Sequence, residues 1–247
     1  VPLSFCLHGG FMDEAFLYTG KHELMLMEKM SLYNAYILGH IKSHLPKLEQ
    51  HDKILDFGAG IGTLALNFPK EQVICLEIDP KQQIILKERG LNTVGSLDNI
   101  QPHSLSFVFS NNVLEHVPDD LGVLKTIYSK MKPGARISFY VPAFPVLFSS
   151  MDRKVGHVRR YTKGSLKTVF EAAGFKINSI FYSDFLGFFA TLAFKLIGSK
   201  NGSLSENMLL FYDRIVFPIS YFLDHLGASR LLGKNLVIKA QKNCNFQ

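Results

Sequence analysis

The chain has 247 residues, 47% of them hydrophobic and 19% charged, which is room for one large α/β domain and the composition of a folded globular protein. A net charge of +6 and a pI near 9.1 suit an anionic partner such as a phosphorylated substrate, an acidic membrane surface or nucleic acid. Nucleic acid is disfavoured, because the sequence has no arginine-rich arm and no basic run interleaved with aromatics.

Cys6, Cys75 and Cys244 lie far apart and form no Cys-x-x-Cys pair. That pattern argues against a disulfide framework or a zinc site and fits a reducing, cytoplasmic setting; no metal ligands are assigned. Residues 1–20 read as a disordered or expression-derived start. They do not read as a signal peptide, since no basic segment precedes an apolar core. The longest apolar stretch, 185–194, is interrupted by Lys195 and falls short of the ~20 residues that span a bilayer. It reads as a buried helix or a membrane-surface segment.

In chain order, residues 22–45 place Leu24, Met27, Met30, Ile37, Leu38 and Ile41 at three- and four-residue spacings, which predicts one or two helices closed by Pro46. Residues 53–57 form a first apolar strand ending at glycines, with a helix expected over 63–68. A second buried strand is expected over 72–77; Pro80 then opens a helix that Gly90 stops. Short strands at 93–94 and 106–110 lead to a helix over 119–131, with Leu121, Leu124, Ile127, Tyr128 and Met131 on one side. The turn Lys132-Pro133-Gly134 precedes a strand at 136–141. A helix over 163–173 ends at Gly174, and strands follow at 175–181 and 235–240. Strands alternating with helices predict a parallel, doubly wound α/β sheet. Residues 185–234, rich in Phe, Leu and Ile, are too apolar for a surface loop.

The first strand ends in Asp56-Phe57-Gly58-Ala59-Gly60-Ile61-Gly62. Glycines there let the backbone turn tightly and let a ligand approach the main chain. Glu77, at the end of the next strand, is placed to accept hydrogen bonds from two ribose hydroxyls. Together these point to an adenosine-containing cofactor. A dinucleotide fingerprint requires Gly-x-Gly-x-x-Gly, but the third glycine falls on Thr63 counting from Gly58 and on Ala65 counting from Gly60. That spacing weakens NAD without excluding it, and the lack of a following Gly-Lys-Ser/Thr excludes a P-loop.

The stretch Ile54–Gly62 resembles motif I of class I S-adenosylmethionine-dependent methyltransferases. Leu76-Glu77-Ile78-Asp79-Pro80 is similar to their acidic post-strand motif, Asn112–Asp119 to their "vLEHv.D" segment, and Met131–Ala135 to their Leu-Lys-Pro-Gly-Gly turn. A narrower likeness is to bacterial methyltransferases associated with polyprenyl-phosphate glycosyltransferases, which carry "vPA…D…GHyRRYt". This chain has Val141-Pro142-Ala143 and then Asp152 through Gly156-His157-Val158-Arg159-Arg160-Tyr161-Thr162, with Met30, Tyr33 and Asn34 mirroring the subgroup's N-terminal helix. Two departures are Ser106, where the family has Asp, and Phe181-Tyr182-Ser183-Asp184, where the subgroup has "yfN".

The resemblance implies a Rossmann-like seven-stranded, mostly parallel sheet with an antiparallel last strand, as one domain over 21–247. N-terminal helices over 22–50 and a helical cap over 185–234 would flank it. It also implies S-adenosylmethionine as cofactor and S-adenosylhomocysteine as product. Asp56 would approach the methionine amine; Gly58, Ala59, Gly60 and Gly62 would shape the loop around the methionine moiety; Glu77 would hold the ribose. Ile78, Asp79 and Leu97 would surround the adenine, and Ser110, Asn111 and Asn112 would stand near the sulfonium.

Methyl transfer needs an aligned nucleophile and, for oxygen, a base. His157 and His116 are the candidate bases, Tyr161 a further catalytic candidate, and Asp152 a positioner. Arg159, Arg160 and Tyr33 are candidates for holding the acceptor, the arginines through a phosphate or carboxylate. The acceptor is expected to be a small molecule or lipid-linked, with peripheral membrane contact through 185–223. The alternatives are an NAD- or nucleotide-sugar-dependent enzyme and an inactive binding protein on the same fold. For His157, Arg159 and Arg160 the competing reading is a purely structural hinge.

Overall fold

The structure is a computed structural model, and it describes residues 21–197 and 205–244. Residues 1–20, with Cys6, lie outside the described residues.

Two helices, α1 (Lys21–Glu28) and α2 (Ser31–Lys42), precede the sheet. Helix α2 buries Tyr33, Tyr36, Ile37 and Ile41, the i, i+3, i+4, i+8 stripe of a helix lying on a core. Its N-cap position is Met30, which supplies no side-chain cap. Asp213, distant in sequence, does so instead, accepting from the amides of Tyr33 (2.8 Å) and Leu32 (3.3 Å).

The sheet follows as β1 (Lys53–Phe57), β2 (Val73–Leu76), α3 (Pro80–Glu88), β3 (Asn92–Val94), β4 (Leu105–Asn111), α4 (Asp120–Lys130) and β5 (Met131–Pro142). Next come α5 (Ser150–Val155), α6 (Lys163–Ala172), β6 (Lys176–Ser183) and α7 (Phe185–Ile197). The described chain closes with α8 (Glu206–Phe211), α9 (Phe217–His225) and β7 (Asn235–Gln241). Seven strands lie in the order β3-β2-β1-β4-β5-β7-β6. Pairing is parallel from β3 through β5, and β7 runs antiparallel to both β5 and β6. The expected doubly wound sheet with its antiparallel last strand is therefore present.

Alternation along the strands sends side chains to two cores. Leu55, Phe57, Val108, Phe139 and Ile238 face α4 and α6, while Ile54, Phe107, Phe109, Tyr140 and Val237 face α2. The order reverses between β1 and β4, and open α/β sheets bind ligands at the carboxyl ends of the strands flanking such a switch. The glycine loop and the segment after β4 both leave the sheet there.

Two expectations need correction. The helix expected over 63–68 is a single 3-10 turn, Ala65–Asn67. Pro69 disfavours helix at the residue before it, and β2 begins at Val73, so the segment is too short for more than a turn. The turn at Pro133-Gly134 lies inside β5, which starts at Met131 and absorbs it as a shift of register between Leu105 and Phe107 of β4.

The described parts of the insertion, residues 185–197 and 205–234, are mostly helical. Helices α8 and α9 are joined by a π-helical segment, Tyr212–Val216, just before Pro218. Proline has no N–H for the preceding turn, and the wider π turn accommodates the interruption. Three buried carboxylates tie this cap down. Asp213 caps α2. Asp224 accepts from the Asp184 amide and the Tyr36 hydroxyl (2.8 and 2.7 Å), and Asp184 accepts from the hydroxyls of Tyr212 and Ser220 (2.6 and 2.8 Å). Among the described residues no helix is long and apolar enough to cross a membrane.

Candidate active site

The glycine loop owes its shape to two tight approaches. Gly58 and Gly62 adopt φ of +76° and +85°, where side chains other than glycine are strained. A Cβ on Gly58 would also drive into Val113, and one on Gly62 into Leu86 and Leu91. The loop's next anchor is Glu77, whose carboxylate accepts from the amides of Gly60 (2.8 Å) and Asp79 (2.9 Å). Asp79 in turn caps α3 by accepting from the Lys81 amide.

Asp56 and Glu77 are both buried. Burial pushes both carboxyls above their usual range, and the charge of Glu77 raises Asp56 further. Two crowded carboxylates suit a cationic ligand and repel a pyrophosphate. Without a helix after the loop, the positive helix end on which a pyrophosphate would rest is also missing. These residues fit S-adenosylmethionine, whose ammonium and sulfonium are both cationic, better than a dinucleotide.

A cavity of about 380 Å3 opens beside the loop. Asp56, Gly58, Ala59 and Gly60 line the cavity with Asn111 and Asn112, and Met30 with Tyr33 and Asn34 of α2 forms part of the wall. His116, Asp152, His157 and Arg160 form a polar side, and Ala190, Thr191 and Phe194 of α7 an apolar one. Glu77, Ile78, Asp79, Leu97 and Ser110 do not line this cavity. They sit around the ends of β2, β3 and β4, where an adenosine would extend away from it; the Ser110 hydroxyl donates to the Phe57 carbonyl (2.7 Å).

The polar side is built by one short helix. Ser149 and Asp152 form a capping box at the start of α5, and Gly156 ends it at φ +83°. The chain therefore folds back on itself. The His157 amide donates to the Asp152 carbonyl (2.8 Å), and His157 Nδ1 meets Asp152 Oδ1 at 2.7 Å. Arg160 grips the same carboxylate through Nε and Nη2 (2.8 and 3.0 Å). Burial works to raise the Asp152 carboxyl, but the bonds from His157 and Arg160 hold it at about 2. Glu115 lies 3.5 Å from His157 Nε2, and burial lifts its carboxyl to about 7 against the pull of His157. Burial, aided by the charge of His157, lowers His116 to about 4.

Not every expected site residue joins this group. Tyr161 is buried with its hydroxyl donating to Asp120 (2.9 Å), and it does not line the cavity. Arg159 also turns to Asp120 (2.5 Å) and to the Pro118 carbonyl (2.6 Å). Those two residues fix α4 to the strand end rather than face an acceptor. Arg160 and Tyr33 do face the cavity, Tyr33 with its hydroxyl near Tyr140 (3.1 Å) and Asn235 (3.2 Å).

Sequence reasoning missed Glu115, Lys234 and Asn235. Glu115 stood inside a recognised motif beside His116, but Lys234 and Asn235 carry no local signal. Lys234 reaches the cavity by lying over the Tyr33 ring (4.6 Å) and 3.5 Å from Asp184; burial lowers its pKa against the raising effect of Asp184. The Ser149-x-x-Asp152 capping box was the legible but unread sign of α5.

Comparison with known proteins supports the fold and S-adenosylmethionine as the cofactor. A Vibrio cholerae ubiquinone biosynthesis O-methyltransferase is 31% identical over 115 residues, covering 42% of this chain and 43% of that protein. The chain thus matches under half the length of this curated relative. A Thermotoga maritima SAM-dependent methyltransferase superposes with a TM-score of 0.61 at 16% identity, covering 91% of this chain and 98% of that one. Phosphoethanolamine N-methyltransferase 2 of Haemonchus contortus, solved with S-adenosylmethionine, gives 0.61 at 18% identity over 90% of this chain and 57% of that one. The family model described as "Methyltransferase domain" matches residues 31–180, more than half of the chain and all of the glycine loop, Glu115-His116 and the His157–Arg160 turn, so the chain belongs to the methyltransferase domain family.

Proposed function

We propose that the chain transfers the methyl group of S-adenosylmethionine to a hydroxyl of a small-molecule or lipid-linked acceptor. The observation that carries this reading is the single cavity joining the Asp56–Gly60 loop to the His157 turn and to the apolar wall of α7. Bound S-adenosylmethionine supplies an activated methyl carbon, so the protein's task is to align the acceptor and keep water out.

Asp56 holds the cationic methionine end and Glu77 the ribose, with Ile78, Asp79 and Leu97 around the adenine. Ser110, Asn111 and Asn112 border the sulfonium. His157, oriented by Asp152, and His116 stand where an acceptor hydroxyl must shed its proton. Arg160 and Lys234 line the cavity, each beside a carboxylate, Asp152 and Asp184, and their remaining N–H groups favour an acceptor carrying a phosphate or carboxylate. An oxygen acceptor is favoured also by the O-methyltransferase name of the curated relatives.

The apolar half of the cavity and the exposed Phe189, Phe211, Ile215 and Phe222 favour a lipid tail and contact with a membrane surface. Assays with methyl-labelled S-adenosylmethionine, comparing polyprenyl-phosphate sugars in anionic vesicles with soluble hydroxy acids, test this. The expected result is label in the lipid fraction and co-sedimentation of the protein. Label only in soluble acceptors would remove the lipid reading. Cofactor binding without transfer to either would make the chain a binding protein.

A further inference from the structure

Where the turn after β4 meets the turn after α5, three ligand-bearing side chains converge. Glu115, His116 and His157 each offer one ligand atom, and these atoms all lie within 4.8 Å of one another. Glu115 is the anomaly among them. It is fully buried, and no donor from another residue hydrogen-bonds either carboxylate oxygen. The His157 Nε2 at 3.5 Å is close in charge terms but beyond a good hydrogen bond. A buried carboxylate in that condition calls for a partner, and a missing ion is one of the standard explanations.

The surroundings are those of metal-binding imidazole. With His157 Nδ1 donating to Asp152 at 2.7 Å, its lone pair lies on Nε2, the nitrogen facing Glu115. A carboxylate behind the distal nitrogen of a ligating histidine is the usual outer support of a metal site. Arg160 locks that carboxylate in turn. The His116 ring meets the His157 ring edge-on, 4.6 Å between centroids. The 3.5 Å between Nε2 and Oε1 is near the ~3.3 Å separating two ligands on a tetrahedral ion with bonds of ~2 Å. The other ligand pairs lie within 4.8 Å of one another, and a bound ion would draw them closer.

We propose that Glu115, His116 and His157 form a binding site for one first-row divalent cation, with Asp152 as the outer partner of His157. Two imidazoles and one carboxylate suit zinc, iron(II) or cobalt(II) rather than calcium or magnesium, which prefer oxygen ligands. Both histidines line the cavity, so the open coordination positions face the acceptor. Resting on the reading of that cavity given above, the cation binds the acceptor hydroxyl oxygen and acidifies it; the proton leaves to solvent, and the histidines act as ligands rather than bases.

The test is a titration of the chelator-stripped chain with cobalt(II) chloride, read by visible d–d absorption. One equivalent is expected to bind, with affinity falling tenfold or more in Glu115→Gln and in His157→Gln. X-ray absorption of the cobalt-loaded wild type, expected to show two imidazole ligands, decides the matter if either variant fails to fold. Absence of saturable binding, or binding unchanged by both substitutions without imidazole ligation, would overturn the proposal. The cluster would then be a structural network in which Asp152, His157, Arg160 and Glu115 hold the turn together. The titration uses no S-adenosylmethionine, so its outcome is independent of the methyl-transfer reading. Transfer that persists undiminished in a chelator would remove the cation alone.

Discussion

Asp56 and Glu77 set the sign of the charge that the glycine loop accepts. Both are buried and both carboxyls are raised, so a cationic ligand beside them favours their charged forms. Replacing Asp56 with Asn removes a charge-assisted contact worth about 1.5–3 kcal/mol. Affinity for S-adenosylmethionine, measured by calorimetry, is expected to fall by roughly tenfold to a hundredfold. An unchanged affinity would remove Asp56 from the cofactor site.

His40 gives a prediction about pH. It packs against Tyr36 and Phe181, faces the charges of Lys239 and His225, and its Nε2 has no hydrogen-bond partner. Burial, with those two cations, lowers its pKa from 6.5 to about 4. A histidine whose folded pKa is depressed favours the folded state fully above 6.5, and that contribution is lost as the pH falls from 6.5 through about 4. His40→Leu should therefore lose less stability than the wild type between pH 7 and pH 5 in urea denaturation. Equal losses in the two proteins would contradict the assignment.

At the scale of elements, the cap is joined to the N-terminal helices by charge rather than by apolar contact alone. Asp213 in the π segment supplies the cap that Met30 cannot give α2. Asp213→Ala leaves two amides without their acceptor and is expected to cost about 1–3 kcal/mol in denaturant midpoints. It should also loosen the α2 wall of the cavity. A loss below about 0.5 kcal/mol, the size of an ordinary surface substitution, would show that water replaces the carboxylate.

What the sequence revealed and what it hid divide along the same line. Strands β1, β2, β4, β5 and β7 were legible because each is a short apolar run bounded by Gly, Pro or charge. Helices α3, α4 and α6 were legible from their apolar spacing and stops. No helix follows Gly62 because the residues before Pro69 leave room for only a single turn. Asp56 and His116, which stand inside motifs, line the cavity, and Glu77 anchors the glycine loop. Lys234 and Asn235 are brought in by β7, whose antiparallel insertion between β5 and β6 has no trace in local sequence. Tyr161 and Arg159 share a motif with Arg160, yet strand geometry turns them to Asp120.

At the scale of the whole molecule, the sheet places a cation-seeking loop at one end of a cavity and a histidine-carboxylate turn at the other. The α7 cap encloses the space between them. This arrangement favours a cationic methyl donor over a dinucleotide, since two buried carboxyls border the loop and only a 3-10 turn follows it, with no helix end to seat a pyrophosphate. Calorimetric titration of the chain with S-adenosylmethionine, S-adenosylhomocysteine and NAD tests that claim most directly. The account predicts one equivalent of either sulfur compound bound, at least tenfold tighter than NAD. Saturable NAD binding with no heat from S-adenosylmethionine would contradict it.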